Sequence, residues 1–278
     1  MSFQLSDIYS FSFPNVKFIS ISSALQNSAI SCANITHHNE DLGVTIQDDI
    51  GDNDLLTIFN TDNKNDLLER SLEILFQIQN SKHIEVESFS VNELEDQMNL
   101  FKDIFCTKFL KIETDQTVDK LISETMEALL KHPWVNCHFD FERRNLVLNK
   151  NNHLTVIDYQ DMKQGPIGID LAGILIDHYY EVDTSNVKKL LNYYSNLMKS
   201  KYPEPDLFEF LRWGCIQRNL RILGTLSNLY LTKKRSFRLK DLPMILNNLI
   251  SMIPDKHSSK DFMKYEVSPA LIKRIAEL

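Results

Sequence analysis

Residues 134–176 constrain this chain most. The apolar run Trp134–Cys137 enters a polar turn that carries Asp140 and Asn145, and a short strand, Leu146–Leu148, leaves it. A second turn, Asn149–Asn152, leads into a second strand, Leu154–Ile157, which ends on Asp158. Two short apolar runs around an asparagine-rich turn predict an antiparallel hairpin, here with acidic and amide groups at both of its open ends. Beyond it, Gly165–Pro166 and Asp170 precede the strongly apolar stretch Leu171–Ile176.

Magnesium and phosphate are the physical reason for such a layout. Mg²⁺ takes hard oxygen ligands in octahedral geometry and leaves most positions to water and phosphate, so a protein supplies only one or two side chains. Asn145 and Asp158, brought together by the hairpin, are the candidates for that pair. Asp140, five residues before Asn145, is placed to sit beside the metal and take the proton of an incoming hydroxyl, the division of labour seen in kinase-type phosphoryl transfer. Asp and Asn are also ordinary turn residues. The position of Asp158 at a strand end, with Asp170 ahead of an apolar helix, is the context that favours a kinase-type site.

The spacing His138-x-Asp140-x-x-x-x-Asn145, followed by Ile157 and Asp158, resembles the catalytic loop and metal aspartate of the aminoglycoside phosphotransferase and choline kinase superfamily. The string VIDYQD over Val156–Asp161, with Gly165–Pro166 and DLA over Asp170–Ala172, is similar to the anomeric amino-sugar kinases of cell-wall recycling, the N-acetylmuramate/N-acetylglucosamine 1-kinases. QRNLRILG over Gln217–Gly224 and the Leu239–Pro243 segment resemble the same subfamily, and a weaker likeness reaches upstream to about Phe18.

The resemblance implies an α+β, protein-kinase-like fold, with a truncated N-terminal β lobe and hinge over 1–52 and a mostly helical catalytic lobe over 53–278. It implies ATP and Mg²⁺ as cofactors and the anomeric hydroxyl of an amino sugar as acceptor. A choline-type or aminoglycoside-type alcohol would keep the chemistry and change the pocket; a binding module without phosphoryl transfer is the alternative from another class. Asp140 is then the base or hydroxyl-orienting group, and Asn145 and Asp158 hold the metal. His138, Asp161 and Asp170 brace the loop, Asp170 also being a candidate N-cap for Leu171–Ile176. Arg143 and Arg144 are candidates for phosphate contact or for a salt bridge to Glu142 or Asp161. Gln217 and Arg218 are candidates for the acceptor pocket, and Asp48 and Asp49 sit in the segment that resembles the hinge beside the adenine pocket.

Composition narrows the classes further. With 278 residues, 43% hydrophobic and 24% charged, the chain has the make-up of a globular protein large enough for a substantial core. A formal net charge of −8 argues against a general nucleic-acid binder. No stretch has the apolar length of a membrane span, and the start has no signal-peptide pattern. The four cysteines are scattered without metal-ligand spacing and read as buried, reduced thiols of a cytoplasmic protein.

Along the chain, 1–16 reads as a short strand or extended tail and Phe18–Leu25 as a helix, without the glutamate that such a kinase helix normally supplies. No glycine precedes Phe18, and Lys17 is the only basic residue there. The first strands of that lobe are therefore missing or rebuilt: the chain is a shortened natural version, or its recorded start lies inside a longer gene, or another chain completes the lobe. Ile30–Thr36 and Val44–Gln47 predict two strands joined by a polar loop over His37–Gly43. Apolar stripes predict helices over Asp66–Gln79, Val91–Phe109, Gln116–Lys131, Ile169–Tyr180, Thr184–Lys199, Asp206–Leu231, Leu242–Met252 and Ser268–Leu278, with a polar linker before the last.

Overall fold

Apolar side chains every three or four residues give a helix one sticky face, and the helices of this protein form where those faces meet. The computed structural model describes residues 16–278 apart from Glu181. The expected strand or tail over 1–16 therefore lies almost wholly outside the described residues. Helix α1 (Val16–Asn27) is followed by the hairpin β1 (Ile35–Asn39) and β2 (Val44–Gln47). Next come α2 (Leu55–Ile58), α3 (Lys64–Asn80), α4 (Val91–Leu100) and α5 (Gln116–Lys131). Strands β3 (Trp134–Cys137), β4 (Leu146–Leu148), β5 (Leu154–Val156) and β6 (Lys163–Pro166) carry the segment singled out above. Helices α6 (Gly168–Leu175), α7 (Thr184–Leu197), α8 (Glu204–Lys233), α9 (Leu242–Met252), α10 (Ser259–Phe262) and α11 (Ser268–Ala276) complete an α+β fold.

The stripes behave as their spacing requires. Leu67, Leu68, Leu72, Leu75 and Ile78 of α3 are buried, as are Val118, Leu121, Ile122, Met126 and Leu129 of α5. Each fully buried leucine contributes roughly 2 kcal/mol. Leu130, expected inward, is exposed. Helix α5 starts where the Asp115 carboxylate accepts the Thr117 N–H, and it stops at His132, ahead of Pro133. Helix α4 does not end at Leu100 but widens into a π-helical stretch, Phe101–Leu110, which places Phe101, Phe105 and Phe109 in one buried stack.

The strands make three antiparallel pairs: β1 with β2, β3 with β6, and β4 with β5. In the last, Leu146 faces Val156 and Leu148 faces Leu154. The turn between them is set by Asn149, whose side-chain oxygen accepts the N–H groups of Asn151 and His153, while Asn152 takes the left-handed conformation. Two other expectations need correction. His37 and His38 lie on β1, not in a loop, because cross-strand pairing continues through them to Asn39 and Val44. The supposed polar linker before the last helix is itself helical, as α10 and a π-helical turn over Met263–Val267.

Helix α6 also ends earlier than its hydrophobicity suggests, at Leu175 instead of Tyr180. The following residues are drawn off by partners of their own. Asp177 pairs with Arg143, Tyr179 donates to Glu142, and His178 accepts from Arg238. What fixes α6 against α8 is the absence of two side chains: a Cβ on Gly168 would lie 1.8 Å from the Phe210 carbonyl oxygen, and one on Gly214 would lie 2.3 Å from the backbone of Gly168. Among the described residues no helix is long and apolar enough to cross a membrane, and the four cysteines are free, three of them buried.

Because the α6–α8 collision is with backbone, Gly214→Ala is expected to destabilise the fold by about 3 kcal/mol, read as a lower urea midpoint. A second expectation concerns acid. Burial first, then Arg218 and Arg238, push the pKa of His178 down to about 2 from an ordinary 6.5. The unfolded chain thus binds a proton below pH 6.5 that the folded chain refuses, so stability is full above that value and declines beneath it. This residue contributes a slope of up to about 1.4 kcal/mol per pH unit. Urea midpoints measured from pH 7 down to about pH 5 should fall less steeply in His178→Asn; identical slopes would show that the residue does not set the acid limit.

Candidate active site

Strand β3 hands the chain to a loop whose shape is dictated by one buried carboxylate. Asp170, fully buried in the first turn of α6, accepts the His138 N–H on one oxygen at 2.6 Å and the Phe139 N–H on the other at 2.8 Å. It is not the N-cap of its helix, since α6 begins two residues earlier. Burial pushes its carboxyl above the usual range, against the opposing pull of His138, the two backbone donors and Arg218. Phe139 then adopts a left-handed φ of 64°, which reverses the chain and turns Asp140 outward, its side chain 46% exposed.

Asn145 closes the turn. Its amide nitrogen donates to the Asp140 backbone oxygen at 2.8 Å and to Asp140 Oδ2 at 3.2 Å. The same residue's carbonyl accepts the Ile157 N–H at 3.1 Å, tying the loop to the end of the hairpin. His138 completes the clasp from below, with Nε2 at 2.9 Å from the Ile157 carbonyl. A carbonyl only accepts, so the ring proton sits on Nε2. With both of its backbone groups engaged, Ile157 delivers Asp158 in a left-handed conformation, φ 60°, and exposed. The Asp158 carboxylate accepts from Gln160 at 2.8 Å. Tyr159, next in the chain, is buried and stacks flat on Phe18 of α1 at 5.0 Å.

Asp140 and Asn145 are therefore in direct contact, and Asp158 directly follows Ile157, whose backbone both His138 and Asn145 hold. Among the described residues no donor reaches Asn145 Oδ1, and no three His, Cys, Asp or Glu side chains gather as a metal-holding group. The donor set on offer is one amide oxygen and one carboxylate, hard ligands that suit Mg²⁺ with water and phosphate at the remaining positions.

The other expected site residues fall elsewhere. Arg143 is not free for phosphate: it is buried, pairs with Asp177 and lies over the rings of Phe59 and Tyr180 at 4.1 and 4.8 Å. Arg144 is partly buried over the Tyr179 ring at 4.9 Å. Neither forms the salt bridge to Glu142 or Asp161 that their proximity in sequence suggested. Glu142 pairs with Arg218 at 2.7 Å, and Asp161 is exposed with no side-chain partner among the described residues. Gln217 and Arg218, expected to line a pocket, are both buried, Gln217 donating to Gln97 at 2.9 Å. Asp48 and Asp49 are exposed where β2 ends, and the Asp49 carboxylate caps the Gly51 N–H.

Sequence reasoning left several residues near the loop unassigned. Arg221 donates to the Phe139 carbonyl at 3.2 Å. Phe89 packs on Phe139 at 4.7 Å, and Lys163 sits over Phe89 while bonding Glu93 at 2.9 Å. Glu93 also closes a capping box with Ser90, and the Ser90 N–H, then Lys163, hold its carboxyl down to about 2. The capping box S-x-x-E was there to be read in the sequence; the pairings across 50 or more residues left no local signal. A cavity of about 700 Å³ opens away from this loop, lined by Ser81, Lys82, Glu85, Trp134 and Gln164 among others. It contains none of Asp140, Asn145 and Asp158, and Asn136 in its wall spends its amide on the carbonyls of Ile78 and Ser81.

A helical body carrying this loop and hairpin is the architecture of a phosphotransferase, and comparison with known proteins agrees. The family model described as "Phosphotransferase enzyme family" (APH) matches residues 58–208, and the chain belongs to that family. It is 29% identical over 238 residues to an N-acetylmuramate/N-acetylglucosamine kinase of Neisseria meningitidis serogroup B, an alignment that covers 79% of this chain and 70% of that protein. Among solved structures, a choline/ethanolamine kinase family protein from Mesorhizobium loti superposes with a TM-score of 0.65 at 12% identity, covering 98% of this chain and 86% of the other. The ADP-bound aminoglycoside phosphotransferase APH(2'')-Ib gives 0.52 at 17% identity, with 85% and 82% covered. The fold is thus α+β and kinase-like, as the sequence resemblance implied.

Removing the carboxylate under the loop should be costly. Asp170→Ala leaves one buried and one partly buried N–H group unpaired, and a loss of about 2–4 kcal/mol in urea unfolding is expected. Asp170→Asn, which can serve only one of the two donors, should fall between; a midpoint equal to that of the unaltered protein would show that the loop does not depend on this residue.

Proposed function

We propose that this protein transfers the γ-phosphoryl group of ATP to a hydroxyl of a small amino sugar, with the anomeric hydroxyl of N-acetylmuramate or N-acetylglucosamine as first candidate. The observation that carries the reading is the bond between Asn145 and Asp140. It spends the amide nitrogen on the candidate base and leaves the amide oxygen for a cation, so that two roles are set by one contact.

Asp140 is the group that orients the acceptor hydroxyl and takes its proton as the new O–P bond forms and the bond to the leaving ADP breaks. Asn145 and Asp158 would hold Mg²⁺, which when bound neutralises charge on the phosphate oxygens. His138 and Asp170 keep the loop in shape, and Asp161 is assigned a supporting role. Catalysis of this kind is mostly positioning, which is why a clasped loop matters more than any single reactive group. The name of the Neisseria relative supports an amino-sugar acceptor, and the ADP in the aminoglycoside phosphotransferase supports a nucleotide donor.

The test is phosphate transfer from ATP, followed by phosphorus NMR, with N-acetylmuramate, N-acetylglucosamine, choline and an aminoglycoside offered separately. Transfer to an amino sugar is expected, with a requirement for Mg²⁺. Asp140→Asn should lower kcat by about 10²–10⁴-fold, and Asn145→Ala or Asp158→Ala by about 10²-fold or more. Transfer only to choline or the aminoglycoside would correct the acceptor alone. Nucleotide binding without turnover, indifferent to Asp140→Asn, would make the protein a binding module.

A further inference from the structure

Helix α8 sends a buried cation into the back of the loop. Arg218 is fully buried; its Nη2 donates to Glu142 Oε2 at 2.7 Å and lies 3.9 Å from Asp140 Oδ1. Glu142 is buried as well, and its other oxygen accepts the Tyr179 hydroxyl at 3.0 Å. Burial by itself would lower the guanidinium pKa, but Glu142 and then Asp140 more than offset it, so the charge is kept. One buried carboxylate would suffice to neutralise an arginine. This one is set between two, and the second is the half-exposed Asp140.

We propose that Arg218 is a positioning residue for Asp140, holding one carboxylate oxygen from α8 while Asn145 holds the other from the loop. With Oδ2 bonded to Asn145 and Oδ1 facing Arg218, the carboxylate has one orientation to present to an acceptor hydroxyl. Arg221, one turn along the same helix face, donates to the Phe139 carbonyl and fixes the backbone just ahead of Asp140. Loop and helix are therefore aligned by two arginines, of which only Arg218 reaches the carboxylate itself. This rests on the reading of Asp140 given above.

The experiment is a double-mutant cycle on phosphoryl transfer. Arg218→Met combined with Glu142→Gln removes both charges of the buried pair, which avoids stranding a carboxylate. Arg218→Lys keeps the charge and shortens the reach, and serves if the first variant does not fold. Each is measured for kcat and for the KM of ATP and acceptor, in the native background and in Asp140→Asn. A fall in kcat of about 10–100-fold is expected, with the KM of ATP within about twofold, and the fall should shrink to less than about threefold in Asp140→Asn. An unchanged kcat, or an equal fall in both backgrounds, overturns the assignment and leaves Arg218 a structural partner of Glu142. If Asp140→Asn alone retains the native kcat, the reading of Asp140 is wrong and the positioning role falls with it.

Discussion

One carboxylate with no access to water organises the functional end of this protein. Asp170 spends each oxygen on a backbone N–H of the loop that follows β3, so helix α6 and the loop form a single rigid piece. The requirement propagates outward. Helix α6, which carries Asp170, lies close against α8 because Gly168 presents no side chain to the Phe210 backbone and Gly214 presents none to the Gly168 backbone. The close packing of these two helices thereby helps to fix where Asp140 points.

Behind the loop lies a layer of paired charges: Arg143 with Asp177 and Arg218 with Glu142, both buried, and the partly buried Arg238 with Asp241 and His178. Buried ion pairs of this kind add little net stability, since desolvation consumes most of their attraction. Their geometry, however, is exacting, and a misplaced loop would leave several charges stranded at once. The layer gathers three arginines behind the loop of a chain with a net charge of −8, each matched by a carboxylate. Arg144 and Arg221 lie in the same region, and much of that charge is matched internally.

Much of this was legible before the structure. The apolar stripes of α3, α5 and α9 gave those helices almost to the residue, because periodicity of 3.6 over several turns is hard to imitate. The β4–β5 hairpin was legible because Asn149 and Asn152 are suited to its turn. What was not legible depends on contacts between distant parts of the chain. Arg143 beside Arg144 looks like a phosphate clamp, and nothing local reveals that Asp177 will claim it. The hydrophobicity of Ile174–Ile176 argues for a longer helix, and only the partners of Asp177, His178 and Tyr179 end it. His37 and His38 look like loop residues because their side chains are polar, yet a two-stranded hairpin exposes both faces enough to tolerate them.

The flat stack of Phe18 on Tyr159 has a mechanical reading. Tyr159 is joined by a single peptide unit to Asp158, and Phe18 is anchored in helix α1, which is pinned at its far end where Ser28 meets Ser81. The two rings form a hinge plate: the peptide that carries Asp158 and the start of helix α1 share one packed contact.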